Sequence, residues 1–456
     1  MPGAKTQLDH DSLAILRAAL ERLETGFKEL PAYEPASTDA RAMETILFAA
    51  AERMQDNFPY FHPLYAGQML KPPHPIARLA YAMAMYINPN NHALDGGRAS
   101  SALEKEAVAE LAAMFGWTAP EAGFLGHLTS GGTMANLEAL WVAGQLAPGK
   151  KVLASEQAHY THARISSVLK LEFESVACDD FGRIDLAALE TKLKQGSPGS
   201  AVATVVATLG TTATGAVDPL PELLALREKY SFRLHADGAY GGYFNLASNL
   251  APETRAAFDR IGECDSIVID PHKHGLQPYG CGCVLFRDPG VERFYKHDSP
   301  VTYFSSKELH LGEISLECSR AGAAAVALWA TQKLLPLVPG GEFAGRLDAS
   351  RAAALALQEK IKSDSRFLAG FAPELDIVTW AVRAKTAPEA SARARQIFEE
   401  AAKRNLHLAL AELPRKFFGL GGQGTVTALR SVLMKPEHKD WIPQIWKLLK
   451  EAVEAG

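Results

Sequence analysis

Short apolar runs separated by helical patterns are the feature that most constrains how this chain can fold. The run AVATVVAT, residues 201–208, is continuous and rich in β-branched residues, as is typical of a strand buried on both faces. Helical periodicity covers residues 133–146 and 220–229. Further strands are predicted at residues 151–154, 232–237, 266–270 and 282–287. Strands that alternate with helices predict an α/β domain with a mainly parallel sheet.

Two other patterns flank this domain. An amphipathic helix at residues 11–30 precedes an aromatic, proline-rich segment at 56–75, which we interpret as a packed loop that lines a pocket or a subunit contact. After the LVPGGE turn, two strand-like runs and two helical patterns follow. We therefore predict three parts: an N-terminal helical and aromatic segment (1–90), a large α/β domain (91–336) and a small C-terminal α+β domain (343–456).

The composition narrows the class of protein. Of the 456 residues, 47% are apolar and 22% are charged, which is typical of a globular chain. A net charge of −5 gives no electrostatic reason to expect nucleic acid or an anionic membrane as a partner. No apolar run approaches the ~20 residues that span a bilayer, and no signal peptide is visible. Five cysteines, an odd number in a long chain, indicate a reducing cytoplasm.

A glycine-rich helix start is the first candidate site. In LTSGGTMANLEAL, residues 128–140, Ser130, Gly132 and Thr133 lie where the helical pattern begins. Glycines there let backbone N–H groups face a ligand, hydroxyls add donors, and the helix dipole favours an anion. This start predicts a phosphate site, although an ordinary helix cap has the same composition.

Two further segments place reactive groups at strand ends. In FRLHADGAYGGYF, Asp237 ends a predicted strand, so its carboxylate would face the ligand crevice of a parallel sheet, and the small Ala239 follows. In SIVIDPHKHGLQPYGCGCVLF, Lys273 follows a strand, and a lysine enclosed by protein has a lowered pKa and becomes an amine nucleophile. A loop-capping aspartate and a surface lysine are the alternatives.

The spacing of histidines and cysteines does not predict a metal site. His159 and His162 are three residues apart without a third ligand, and Cys281 and Cys283 have no second pair at metal-ligand spacing. A planar His159 that stacks on an aromatic ligand agrees better with the other segments. Together the segments supply a phosphate site, an acid, small residues, a stacking imidazole and an enclosed lysine. These are the groups that pyridoxal phosphate requires, and Asp237 would keep its ring nitrogen protonated.

Several segments resemble the group II pyridoxal-phosphate decarboxylases, the family of aromatic amino acid, tyrosine and glutamate decarboxylases. HADGAYGG is similar to that family's HVDAAYGG, DPHKHG to NPHKW, and VATLGTTATGAVDPL to its ATxGTTxxGxxD segment. The resemblance covers about residues 55–335 well. It implies the transferase-like architecture of fold type I and an obligate homodimer with shared active sites.

The same resemblance implies roles for individual residues. Lys273 is the lysine that forms the Schiff base with the cofactor, Asp237 is the partner of the pyridinium nitrogen, and Tyr303 is a proton donor on a mobile loop. Arg320 and Arg430 match arginines near the site in relatives. Either could bind a carboxylate or a phosphate, or form a structural ion pair. Further cofactor contacts are implied for Ser130, Gly132, Thr133, His159, Thr208 or Thr211, Ala239 and His272.

Two positions depart from the family pattern. Asp270 stands where many relatives have an asparagine that touches the phosphate, and a carboxylate there would repel phosphate unless it is turned away or paired. The DxHK order is closer to the sphingosine-phosphate-lyase branch, which breaks a carbon–carbon bond. SRAG, residues 319–322, stands where SRPG is frequent, so the geometry of that turn is open.

Together these features predict a cytosolic L-amino acid decarboxylase that releases CO2 from a small-molecule substrate. Tyr303 or His159 would protonate the α-carbon after CO2 leaves. The alternatives are a carbon–carbon lyase of the sphingosine-phosphate-lyase type and a non-catalytic binding protein on the same scaffold.

The aromatic N-terminal segment bears on the choice of substrate. It favours an aromatic amino acid such as tyrosine, whereas Arg320 or His62 could receive the side-chain carboxylate of an acidic one. The residues predicted to line the substrate pocket are Phe58, Tyr60, His62, Tyr65 and Gln68.

Overall fold

The computed structural model describes residues 8–118, 123–195, 201–296 and 310–455. Its helices are α1 (Leu13–Glu24), α2 (Ala40–Met54), α3 (Pro75–Met85), α4 (Leu94–Met114), α5 (Gly132–Leu146), α6 (Thr161–Val168), α7 (Leu186–Gln195), α8 (Leu220–Tyr230), α9 (Pro252–Asp259), α10 (Gly322–Leu334), α11 (Glu342–Lys362), α12 (Ala387–Ala402) and α13 (His438–Ala455). Its strands are β1 (Leu125–Thr129), β2 (Lys151–Ser155), β3 (Phe173–Val176), β4 (Val202–Thr208), β5 (Arg233–Asp237), β6 (Ser266–Ile269), β7 (Gly282–Phe286), β8 (Phe367–Ala369), β9 (Ile377–Val382), β10 (Ala409–Pro414) and β11 (Thr425–Val432).

A seven-stranded sheet in the order β1-β7-β6-β5-β4-β2-β3 forms the larger core. The five strands from β6 to β3 are parallel neighbours, and β7 is antiparallel to both of its neighbours. Every residue of β4 is buried, as its run of β-branched residues predicts. The predicted α/β architecture with a mainly parallel sheet is therefore confirmed.

A second, antiparallel sheet in the order β10-β11-β9-β8 forms the C-terminal part. Its apolar face packs against α11, α12 and α13, with Trp380 fully buried in the middle. This sheet confirms a small α+β part at the C-terminal end of the chain. No helix in the described ranges is long and apolar enough to cross a bilayer.

The aromatic N-terminal segment is attached to this small sheet. The Ala66 N–H donates to the His407 carbonyl at 2.9 Å, and the Val432 N–H donates to the Ala66 carbonyl at 2.7 Å. The boundaries at 1–90, 91–336 and 343–456 stay a proposal, because this contact joins the first part to the third.

The parallel strands bring their last residues to one edge of the larger sheet. Ser155, Thr208, Asp237 and Ile269 end β2, β4, β5 and β6, and β1 points the same way with Thr129 at its end. Ligands of open α/β sheets bind in the crevice outside this edge. The topology thus gathers side chains that are far apart in sequence.

Candidate active site

A cavity of about 320 Å³ opens at the carboxyl edge of the larger sheet. This volume is in the range that holds small ligands and cofactors. All of the residues that the sequence predicts to contact a cofactor line it, namely Ser130, Gly132, Thr133, His159, Thr208, Asp237, Ala239, His272 and Lys273. The structure brings these residues together, and their individual roles remain predictions.

Lys273 lies in the wall of this cavity directly after β6. Its side chain is 22% exposed, and its Nζ is 2.8 Å from Oδ2 of the buried Asp270. Nε2 of His272 is 3.5 Å from the same oxygen. Burial lowers the pKa of His272 despite the nearby carboxylate, so its imidazole is neutral at neutral pH. The lysine is thus enclosed, as the sequence predicts, and paired with one carboxylate.

Asp237 at the end of β5 is held by a buried histidine. Its Oδ2 is 2.8 Å from Nε2 of His162, and its Oδ1 accepts a hydrogen bond from the Ala239 N–H at 3.1 Å. Burial alone would raise the pKa of Asp237, but the hydrogen bond and charge of His162 hold it well below its usual range. Asp237 is therefore ionised at neutral pH.

His162 is a site residue that sequence reasoning missed. Its spacing from His159 indicated only a weak metal pair, whereas the structure buries it on α6 against Asp237. His159 precedes α6, lines the cavity and accepts a hydrogen bond at Nδ1 from the Thr161 N–H at 3.2 Å. Burial lowers the pKa of His159, so this imidazole is also neutral at neutral pH. The two histidines therefore face different partners.

The start of α5 is packed closely against the segment that carries Lys273. A Cβ on Gly132 would lie 2.7 Å from Oδ2 of Asp270, and one on Gly131 would lie 3.2 Å from Cε1 of His272. Larger residues would separate the helix start from this segment. The Ser130 N–H donates to Oε2 of Glu317 at 2.8 Å.

Unpaired polar atoms test whether the cavity fits the predicted cofactor. Thr208 Oγ1, Asp270 Oδ1 and His272 Nδ1 are buried without a hydrogen-bond partner among the described residues. Buried polar atoms normally have partners. The cavity combines a helix start that can bind an anion with an ionised acid, an imidazole and an amine. This set of groups fits a phosphate-bearing aromatic aldehyde.

Other cavity residues carry polar groups that the sequence did not single out. The Tyr240 hydroxyl donates to Oδ1 of the buried Asp376 at 2.5 Å. Asn136 Oδ1 is 2.8 Å from His235 Nε2. Thr212 also lines the cavity, whereas Thr211 does not, because its hydroxyl is bonded within its own turn.

The predicted substrate residues lie elsewhere in this chain. Phe58, Tyr60 and Tyr65 form an aromatic cluster with His407 beside the small sheet, with ring centroids 4.8 Å apart for Tyr60 and Tyr65. None of the predicted substrate residues is in the cavity wall, including His62, which packs on Trp441, and Gln68. In a single copy of the chain these side chains lie outside the cavity wall, and Gln68 is linked to it through Arg430, which also donates to the carbonyl of the cavity residue Thr212.

The two arginines have structural partners. Arg320 Nη1 donates to Glu104 Oε1 at 2.8 Å and to the Leu128 carbonyl, which is the structural ion pair that the sequence left open as one alternative, and its substrate role stays a prediction. Arg430 is buried and donates to neutral oxygens of Gly67, Gln68, Thr212 and Ala213. Tyr303 lies outside the described residues.

Comparison with known proteins gives the family. Residues 53–383, well over half of the chain, match the pyridoxal-dependent decarboxylase conserved domain. An L-tyrosine decarboxylase of Enterococcus faecium is 27% identical over 373 residues, which cover 60% of each chain. An L-aspartate decarboxylase of Thermococcus kodakarensis is 30% identical over 296 residues, which cover 64% of this chain and 73% of the relative. The chain spans about 60% of the length of the first curated relatives it matches.

A solved structure agrees in fold. Oryza sativa TDC with PLP and tryptamine has a TM-score of 0.79 at 18% identity, with 100% of this chain and 99% of that chain covered. This likeness confirms the predicted architecture. Because the family match covers the whole larger sheet and its cavity, the chain belongs to the pyridoxal-dependent decarboxylase family, and its cofactor is pyridoxal phosphate.

Proposed function

We propose that this protein decarboxylates an L-amino acid to the corresponding amine. The observation that carries the proposal is the meeting of two groups in one cavity: the enclosed amine of Lys273 and the ionised carboxylate of Asp237. The family match and the decarboxylase names of the curated relatives support it. A binding protein without catalysis would need neither group.

Several residues of the cavity have a proposed role in binding the cofactor. When bound, pyridoxal phosphate supplies an aldehyde for attachment and a ring that accepts the electrons of the broken bond. Lys273 Nζ would hold the cofactor, and the carboxylate of Asp237 would keep a proton on its ring nitrogen. His162 orients Asp237 and keeps it ionised. The start of α5 would hold the phosphate, with Thr208 and His272 as further contacts.

Protonation of the α-carbon needs a group with an available proton. His159 lies in the cavity wall, where it would stack on the cofactor ring and its neutral imidazole could relay a proton. Tyr303 remains the other predicted donor.

An aromatic substrate such as tyrosine is our first choice. Among the described residues that line the cavity, Lys273 is the sole lysine or arginine, so an acidic side chain would lack a cation there. The aromatic cluster of Phe58, Tyr60 and Tyr65 supports the same choice if a second copy presents it to the cavity. The aspartate decarboxylase among the relatives keeps an acidic substrate as the second candidate.

A product screen tests the activity. We expect the purified protein with added pyridoxal phosphate to release CO2 and amine in equal amounts, with aromatic amino acids turned over fastest. Amines are measured by mass spectrometry for all twenty substrates, and CO2 by a coupled assay. An aldehyde product without CO2 would contradict decarboxylation and favour the carbon–carbon lyase.

We also propose a homodimer with shared active sites. Helix α2 has no buried residue in the single chain, although it carries a row of apolar side chains. These are 47–68% exposed, and they are Met43, Ile46, Leu47, Phe48 and Met54. Exposed apolar patches of this kind mark interaction surfaces. We favour a second copy of the chain as the partner that covers α2, because the predicted substrate residues absent from the cavity wall lie on the segment that follows this helix.

Charge on this helix should separate the copies. We expect the double variant Ile46→Glu/Phe48→Glu to elute as a monomer in size-exclusion chromatography with light scattering, and to lose most of its decarboxylase activity. Arg393→Glu, which reverses a charge on the exposed face of α12, is the control and should stay dimeric. A wild-type protein that is monomeric at micromolar concentration would refute the proposal.

A cytoplasmic location completes the proposal. All five cysteines are free thiols, and four of them are buried. Free thiols of this kind are typical of reducing compartments. Localisation by fluorescence microscopy of the tagged protein would test it.

A further inference from the structure

Asp270 brings a carboxylate to the place where the phosphate is expected. A Cβ on Gly132, the first residue of α5, would lie 2.7 Å from Oδ2 and 3.0 Å from Oδ1 of Asp270. The side chain of Asp270 is 3% exposed. Oδ2 is 2.8 Å from Lys273 Nζ, whereas Oδ1 has no hydrogen-bond partner within the described parts of the chain. An anion bound at the start of α5 would therefore be next to an unpaired carboxylate oxygen.

Little positive charge is available to offset this carboxylate. In the described cavity wall the only lysine or arginine is Lys273, whose Nζ contacts Asp270 and is the group proposed to attach the cofactor, so it is not free to pair with the phosphate. Burial keeps the imidazoles of His272 and His159 neutral. The other titratable groups that interact with Asp270 are Tyr243, Tyr279, Cys281 and Cys283, and Glu317 accepts a hydrogen bond from the Ser130 N–H at the helix start. All of these are acids, so none supplies a cation for a doubly charged phosphate.

We propose that Asp270 selects the singly protonated form of the cofactor's phosphate, whose P–OH group donates a hydrogen bond to Oδ1. This inference rests on the cofactor that underlies the proposed function. The hydrogen bond would satisfy a buried acceptor and turn a repulsive contact into an attractive one. The second pKa of a phosphate monoester is about 6, so the free cofactor at pH 8 is mostly doubly charged. Binding at that pH would add a proton to the phosphate.

Phosphorus NMR of the holoenzyme at pH 8 tests the proposal directly. We expect the bound phosphate of the wild-type protein to resonate where free pyridoxal phosphate does well below pH 6, and that of Asp270→Asn where the free dianion does. Asparagine keeps the shape of the side chain but can donate to the phosphate. Asp259→Asn, at an exposed ion pair on α9, is the matched control and should resemble the wild type.

A binding measurement supplies a second readout. At pH 8 we expect the preference for pyridoxal phosphate over pyridoxal, taken as the ratio of their dissociation constants, to rise about tenfold or more in Asp270→Asn, since the variant need not protonate a group of pKa about 6. A dianion signal in the wild-type spectrum would overturn the inference, even if the variant fails to fold. Absence of any bound phosphorus signal would overturn it together with the cofactor assignment, so the two failures are distinguishable.

Discussion

Replacing Lys273 with alanine is expected to lower amine production by at least about 10³-fold, because no other amine in the described cavity wall can hold the cofactor. The visible absorbance band that pyridoxal phosphate acquires when bound to lysine should disappear at the same time. Both are measured on the purified variant with excess cofactor, by absorbance titration and by product quantification.

A surface lysine provides the control for this substitution. Lys333 on α10 pairs with Glu110 at 3.1 Å, and both side chains are about half exposed. Lys333→Ala should therefore keep the absorbance band and the activity. A Lys273→Ala protein with the wild-type band would show that another amine holds the cofactor, and the proposed site would be wrong.

Replacing Asp237 with asparagine is expected to reduce kcat by about 10²- to 10⁴-fold, which is the range for loss of a positioned acid–base group. Asparagine preserves the side-chain shape but has no charge to keep a proton on the ring nitrogen. The cofactor should still bind through Lys273 and the start of α5, so the loss should appear in kcat more than in cofactor affinity. Steady-state kinetics and a cofactor titration separate the two effects.

A variant of His162 provides a comparison for the loss of kcat in Asp237→Asn. His162→Asn removes the 2.8 Å contact but leaves the carboxylate of Asp237 in place. We expect a smaller loss of kcat than for Asp237→Asn, since His162 positions the acid without touching the cofactor. Equal losses in kcat with intact Asp237 would mean that the histidine itself takes part in the chemistry.

Five of the seven strands of the larger sheet could be predicted because burial on both faces leaves a continuous apolar run, whereas β3, with one buried residue, was missed. The prediction of 201–208 and the observed Val202–Thr208 differ by one residue. Strand β1 was missed because its sequence, LGHLT, contains a polar residue: His127 is fully buried and lies 2.9 Å from the equally buried Glu138. A polar pair inside the core cannot be recognised from hydrophobicity.

Residues of the cavity wall could be predicted because many of them lie at a strand end or a helix start, where local sequence has a definite pattern. The partner of Asp237 could not, since it depends on which strands are neighbours: β2, β4 and β5 are adjacent in the sheet, and His162 follows β2. The position of the predicted substrate residues in the single chain could not be predicted for a related reason. Their aromatic composition indicates packing, but the surface against which Phe58 and Tyr65 pack belongs to the C-terminal part, near His407.

The contact between Gly132 and Asp270 has a consequence for the order of assembly in the cell. One residue follows β1 and the other follows β6, with five strands of the same sheet, β2 to β6, synthesised between them. The vitamin-derived cofactor therefore cannot direct early folding of the nascent polypeptide, because the Asp270 side of its binding site has not yet left the ribosome. It can stabilise only the finished sheet, by mass action on the native state.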